Sequence, residues 1–276
     1  MKGLSYLLSP IFIGVFFLIL IVFHPLQWIS LNIFGHKAHG KVVDCLNFFL
    51  VKSMLIIGVR IRTVNEHLFP ENASLIFVSN HQSTFDIPPI GWFFRKHSPK
   101  FVAKIELGRG IPSVSYNLKY GGAALINRKD PKQAITELVR FSKRIHEKKW
   151  GAIIFPEGTR SRDGSPKKFA TNGLKVITKY NKEGYIIPLT INNSWKVFKY
   201  GKFPLLGGQA AARPRGRRGM PARLVTDEAL REARPEHQES IPHRAHPHSG
   251  RGGPASNTQK CFRVAPLASG SAFEAT

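Results

Sequence analysis

From Gly3 to Gly35 the chain carries no Asp, Glu, Lys or Arg, and Leu4 to Phe23 within that stretch is dense in Ile, Leu, Phe and Val. As a helix it is long enough to cross roughly 30 Å of hydrocarbon, which about 20 apolar residues span. A secretory signal is the rival reading, but its apolar core would be too long and no Ala-x-Ala type site follows. The sequence therefore predicts a retained membrane segment, and the rest of the chain must work beside lipid. A second apolar stretch, Val42 to Ile57, is broken by Asp44, Asn47, Lys52 and Ser53 and reads as an interfacial or re-entrant helix. Lys37 and Lys41 follow the first segment and place the remainder on the cytoplasmic side.

The formal net charge is +24 over 276 residues. A balance that basic favours phosphate-rich partners such as nucleic acid, an anionic bilayer or an acidic substrate, without choosing among them. Lys96, Lys100, Lys104, Lys119, Lys167 and Lys168 are candidates for holding a domain against anionic headgroups, at about 1 kcal/mol each near a charged surface. Two cysteines, Cys45 and Cys261, form neither a disulfide framework nor metal-ligand spacing, so a reducing compartment and no zinc site are expected.

Between about Gly58 and Ile191 short apolar runs alternate with helical text. Residues 59–64, 75–79, 101–103, 123–126, 152–155 and 186–191 read as strands, several of them continuously apolar, as in a sheet covered on both faces. Pro131 to Lys148 reads as a helix: Asp130 caps it, Gln133 can close a capping box, and Ala134, Leu138, Phe141 and Ile145 form an apolar stripe. The expected class is α/β, a largely parallel sheet flanked by helices, behind an amino-terminal membrane-associated helical region. The expected boundaries are 1–57 for that region, 58–206 for the sheet domain and 207–276 for a tail.

The tail differs in composition. Up to Leu206 there are 21 Lys and 9 Arg; beyond it there are 1 Lys and 10 Arg, and only 8 of 70 residues are Ile, Leu, Val or Phe. That is below the roughly 20% at which a chain sustains a core, so 207–276 is expected to be disordered. Translation in another reading frame would produce the same switch, a hypothesis that resequencing across codon 206 tests. A basic tail for nucleic acid would want interleaved aromatics, which this one lacks, so no nucleic-acid partner is expected.

Two segments carry chemistry. Leu75 to Asp86 runs from a buried strand into Asn80-His81-Gln82-Ser83-Thr84-Phe85-Asp86. On one continuous helix His81 and Asp86 would lie about 140° apart. They meet only if His81 stays on a strand-to-helix turn and Asp86 opens the helix, whose first turn Pro88 and Pro89 suit. The carboxylate could then orient one imidazole nitrogen and leave the other as a general base. Ser83-x-x-Asp86 also fits a capping box, a purely structural use of the same acid. The second segment, Gly151 to Arg162, is an apolar strand running into Phe155-Pro156-Glu157-Gly158-Thr159-Arg160-Ser161. Its polar turn should emerge at the carboxyl edge, where open α/β sheets hold ligands. Gly158 permits close backbone approach, and the Arg160 fork suits bidentate phosphate binding.

These two blocks resemble the paired motifs of the glycerolipid acyltransferases, specifically the 1-acyl-glycerol-3-phosphate acyltransferases. Ala124-Leu125-Ile126-Asn127-Arg128 is similar to the family's second motif, with Asn127 where Asp is common, and Ile186-Ile187-Pro188-Leu189-Thr190-Ile191 to its fourth. The resemblance implies that His81 and Asp86 are catalytic. It also implies that Arg128 and Arg160 grip the acceptor phosphate, and that Glu157, Gly158 and Thr159 shape the glycerol pocket. The implied reaction moves a fatty acyl group from acyl-CoA or acyl-carrier protein to 1-acyl-glycerol 3-phosphate, giving phosphatidic acid, at a membrane and without a metal or resident cofactor. Another lysophospholipid or glycerol 3-phosphate as acceptor, or an inactive lipid-binding protein, are the alternatives. No Gly-x-Ser-x-Gly elbow accompanies the motifs, which agrees with direct attack by the acceptor hydroxyl.

Overall fold

The structure, a computed structural model, describes residues 2–63, 69–70, 72–165, 167–205, 209–214 and 220–221. Helix α1, Lys2–Ser53, is broken at Gly35, whose φ of 79° turns the chain out of helical geometry. The two arms fold onto each other through Leu20, Leu46 and Leu50, with Phe23 against Phe49 at 5.8 Å between ring centroids. The second apolar stretch is thus the returning arm of a hairpin. Among the described residues, Gly3–Ile57 is the segment long and apolar enough to cross a membrane. Leu7, Leu18, Ile33 and Phe34 each leave more than half of their surface open, at 65%, 59%, 66% and 69%.

The sheet contains β1 (Arg60–Thr63), β2 (Leu75–Ser79), β3 (Lys100–Lys104), β4 (Ala124–Ile126), β5 (Gly151–Ile154), β6 (Tyr185–Asn192), β7 (Gln209–Pro214) and β8 (Met220–Pro221). Its order is β1-β7-β6-β2-β5-β3-β4, with β8 paired to β6. β6, β2, β5, β3 and β4 are parallel neighbours, and β7 runs antiparallel to β6 but parallel to β1. The central strands β2 and β5 are buried along their whole length, which is why they read as unbroken apolar runs.

Alternation along the strands sorts the core into two faces. Ile76, Val78, Ala152, Ile154 and Ile186 meet Leu138, Phe141 and Ile145 of α4 (Pro131–Lys148) and Leu174 and Ile177 of α5 (Asn172–Lys179). Leu75, Phe77, Ile153 and Ile187 meet Ile90 of α2 (Ile87–Phe93) and Leu118 of α3 (Val114–Tyr120). Each such apolar side chain contributes about 1.5–3 kcal/mol by leaving water.

Two expectations need correction. Asp130 does cap α4, accepting from the Gln133 amide at 3.1 Å, but Gln133 does not reach back to close a box. It bridges the preceding turn instead, accepting from Asn127 N at 2.7 Å and donating to Leu125 O at 2.9 Å. Lys100 is not a free surface cation: its ammonium sits 4.6 Å from the Trp150 ring centre, and burial lowers its pKa to about 8. Beyond the expected boundary at 206, β7 pairs parallel with β1 and antiparallel with β6. Strand pairing draws on main-chain groups that every residue except proline supplies, so a segment poor in apolar side chains can still complete an edge. The rest of the expected tail, from 222, lies outside the described residues.

Candidate active site

Because β2 and β5 are parallel and adjacent, with Val78 beside Ile154, their two polar turns leave the sheet side by side. Ser83 to Asp86 forms a tight turn ahead of α2. The Ser83 hydroxyl accepts from Phe85 N, and the Asp86 carboxylate accepts from Ser83 N at 2.9 Å. The capping box therefore forms, and it coexists with the other use of the same acid: Asp86 Oδ2 lies 2.9 Å from His81 Nδ1 and 2.9 Å from Gln82 N. Asp86 is 2% exposed, so a proton on Nδ1 is held by a carboxylate shielded from solvent. Nε2 is the ring nitrogen left uncommitted to that carboxylate. The imidazole itself keeps 17% of its side-chain surface open and stacks on Phe155, with ring centroids 4.2 Å apart at 22°.

The second turn is sewn to the first. His81 N donates to Glu157 Oε1 at 3.0 Å, Ser161 N donates to His81 O at 2.7 Å, and the Arg160 guanidinium donates to the Thr84 hydroxyl. Burial pushes the Glu157 carboxyl above its ordinary value, against the opposing pull of the His81 and Lys167 amides. Gly158 has a φ of 67°, which disfavours any side chain; its carbonyl accepts from the Arg128 guanidinium. Glycine is required there by backbone geometry, a more definite reason than close approach to a ligand. Arg128, Thr159 and Arg160 are exposed residues, and the contacts above join His81 to Asp86 and Glu157, Arg128 to Gly158 and Arg160 to Thr84, so the sequence-derived residues gather at the carboxyl edge of the sheet.

Sequence reasoning missed the residues that hold this arrangement. The Asn80 side chain donates to Ile191 O at 2.8 Å and accepts from Ile191 N at 2.7 Å, locking the first turn to β6. The short helical turn Ser194–Phe198 places Ser194 Oγ 3.4 Å from Gln82 Oε1 and lays Phe198 on Phe85. Trp195 lies so close to Gly164 that a Cβ there would strike the indole. Only the strand reading of 186–191 placed one partner, Ile191, near the others; nothing in the sequence paired it with Asn80.

An imidazole backed by a buried carboxylate and two exposed arginines thus share the carboxyl edge of a parallel sheet, a setting suited to general-base chemistry on a phosphate-bearing substrate. The acyltransferase family profile matches residues 60–192. The chain is 32% identical over 177 residues to the 1-acyl-sn-glycerol-3-phosphate acyltransferase of Helicobacter pylori, covering 62% of this chain and 68% of that protein. Against the corresponding enzyme of Borreliella burgdorferi it is 29% identical over 147 residues, covering 53% and 56%. Against 1-acyl-sn-glycerol-3-phosphate acyltransferase LPAT1, chloroplastic, of Arabidopsis thaliana the match spans 38% of that protein. The crystal structure of the 1-acyl-sn-glycerophosphate acyltransferase of Thermotoga maritima shares the fold, with a TM-score of 0.69 over 88% of this chain and 100% of that one at 20% identity. The chain belongs to this acyltransferase family.

Proposed function

We propose that the chain transfers a fatty acyl group from a thioester, acyl-CoA or acyl-carrier protein, to the free hydroxyl of 1-acyl-glycerol 3-phosphate, yielding phosphatidic acid. His81 Nε2 takes the hydroxyl proton as the oxygen bonds to the thioester carbonyl carbon. The tetrahedral intermediate then collapses with loss of the C–S bond, and the imidazolium returns the proton to the departing thiolate. Asp86 holds the tautomer and stabilises the imidazolium; such acid–base assistance is worth about 10²–10⁴ in rate. Arg128 and Arg160 bind the acceptor phosphate, and Glu157, Gly158 and Thr159 surround the glycerol. No acyl-enzyme and no metal enters this scheme.

The observation that carries the reading is the main-chain stitching of His81 to Glu157 and Ser161, which brings the base within one turn of Arg160. The open apolar face of α1 suits a lipid layer, with residues 1–57 embedded and the sheet domain on the cytoplasmic face, so that acceptor and product never leave the membrane. Membranes containing the chain, supplied with labelled acyl-CoA and lysophosphatidic acid, should form phosphatidic acid, and His81→Ala should abolish it. Equal product from both proteins defeats the reading. Product with glycerol 3-phosphate in place of lysophosphatidic acid would reassign the acceptor.

A further inference from the structure

We infer that Phe85 is a positioning residue through which the amino-terminal helix sets the geometry of the His81–Asp86 pair, an inference that rests on the acyl-transfer reading. Phe85 stands between Thr84, which holds Arg160, and Asp86, which holds His81. Its ring does not face the site. It points the other way, into an apolar cluster formed by Phe12, Met54, Ile57, Val59, Val197 and Leu205. Two rings of α1 meet it edge-on, Phe12 at 5.4 Å and Phe16 at 5.6 Å between centroids. Phe198 stacks on it at 5.5 Å with only 8° between the planes. Phe12 is 1% exposed, so this end of α1 is seated in the protein while other faces of the same helix stay open.

The consequence is mechanical. The turn that carries both the acid of the pair and the hydroxyl beneath Arg160 has one large apolar side chain, and that side chain is clamped between α1 and the segment 194–198. Aromatic pairs of this kind are worth about 0.5–1.5 kcal/mol each beyond their burial, and close packing transmits small shifts instead of absorbing them. A misplacement of about 1 Å at a catalytic group can cost about 10²-fold in rate. When α1 is seated, Phe85 is held and the carboxylate meets Nδ1; when α1 is displaced, the clamp on that turn loosens. The hydrogen bonds of Asp86 with Gln82 N and Ser83 N close the turn locally, and the Phe85 clamp sets where the closed turn sits.

The test uses the full chain in phosphatidylglycerol-containing vesicles, with kcat and KM measured across pH for Phe85→Ala, Phe12→Ala, their combination and the conservative Phe85→Leu. Phe85→Ala should lower kcat about tenfold to 10²-fold while KM for the lysophospholipid changes less than about twofold. The acid limb of kcat should move, because the loosened turn no longer fixes the carboxylate against Nδ1; a merely structural defect would not move that limb. Phe12→Ala should reproduce both effects in smaller measure, Phe85→Leu should restore most of kcat, and the double variant should be no worse than Phe85→Ala. An unchanged kcat and acid limb in Phe85→Ala, or losses that multiply in the double variant, would overturn the inference. If Phe85→Ala fails to fold, Phe12→Ala and Phe85→Leu decide the matter alone. The pH dependence of diethylpyrocarbonate labelling at His81, located by mass spectrometry, reads the same coupling without turnover. If the wild type forms no phosphatidic acid but the labelling still shifts with Phe85→Ala, the proposed acceptor is wrong and the coupling stands.

Discussion

A single oxygen of Asp86, Oδ2, lies 2.9 Å from His81 Nδ1 and at the same distance from the amides of Gln82 and Ser83. One atom thus closes the turn and orients the base. Asp86→Asn keeps an oxygen for the amides but removes the charge and leaves the imidazole in the wrong tautomer, so kcat should fall about 10²–10⁴-fold with little change in melting temperature. Asp86→Ala removes the cap as well and should cost about a further 1 kcal/mol of stability. Parallel turnover and thermal unfolding measurements separate the two roles.

Asn80 faces away from the chemistry yet ties the first turn to β6 by two hydrogen bonds with Ile191, in a place where the side chain is 5% exposed. Asn80→Ala leaves a buried N–H and a buried C=O without partners, which should cost about 2–3 kcal/mol. The expected result is a lower urea midpoint with an unchanged slope. Activity per folded molecule should fall far less than it does for His81→Ala.

Much of this protein was legible before its structure. The α4 bounds followed from Asp130, Pro131 and the stripe through Leu138, Phe141 and Ile145, all of them local signals. The first polar turn was legible because Pro88 and Pro89 fix where its helix starts, leaving His81 and Asp86 only one way to meet. The contacts of Asn80 with Ile191 and of Phe85 with Phe12 and Phe198 join residues far apart in sequence, and no periodicity encodes such pairs. Gln133 was misread because its amide has two possible uses, and a sequence shows only the nearer one. The pairing of β7 with β1 and β6 was not legible because composition measures core-forming capacity, whereas strands pair through the main chain.

Lys100 makes a prediction about pH. Burial holds its pKa near 8, below the ordinary 10.5, with Asp44 pulling the other way. The unfolded chain therefore binds this proton more tightly than the folded one, and stability should rise as pH increases from about 8 to 10.5. Its full size is on the order of 3–4 kcal/mol, at about 1.4 kcal/mol per pH unit over the window from about 8 to 10.5. Lys100→Met has no proton to lose, so its advantage in unfolding midpoint over the wild type should be largest at pH 7 and shrink across that window. A gap that does not change with pH would show that the ammonium is not held in a low-dielectric site.

Arg160 uses part of its guanidinium on Thr84 and turns an exposed side chain toward solvent. A guanidinium can do both at once because its donors lie in a fixed planar fork, whereas an ammonium on a flexible stem must choose. Arg160→Lys should therefore keep the charge but lose either the link to Thr84 or one contact with phosphate. A hydrogen bond to a charged group is worth about 1.5–3 kcal/mol, so kcat/KM for lysophosphatidic acid should fall about 10–150-fold. The control is an acceptor without phosphate. With a monoacylglycerol, where no phosphate contact exists to be lost, wild type and Arg160→Lys should differ by only the factor traceable to Thr84, a factor that Thr84→Val measures separately. If Arg160→Lys impairs both acceptors equally, the arginine is a strut of the turn and the phosphate seat must be built around Arg128 instead.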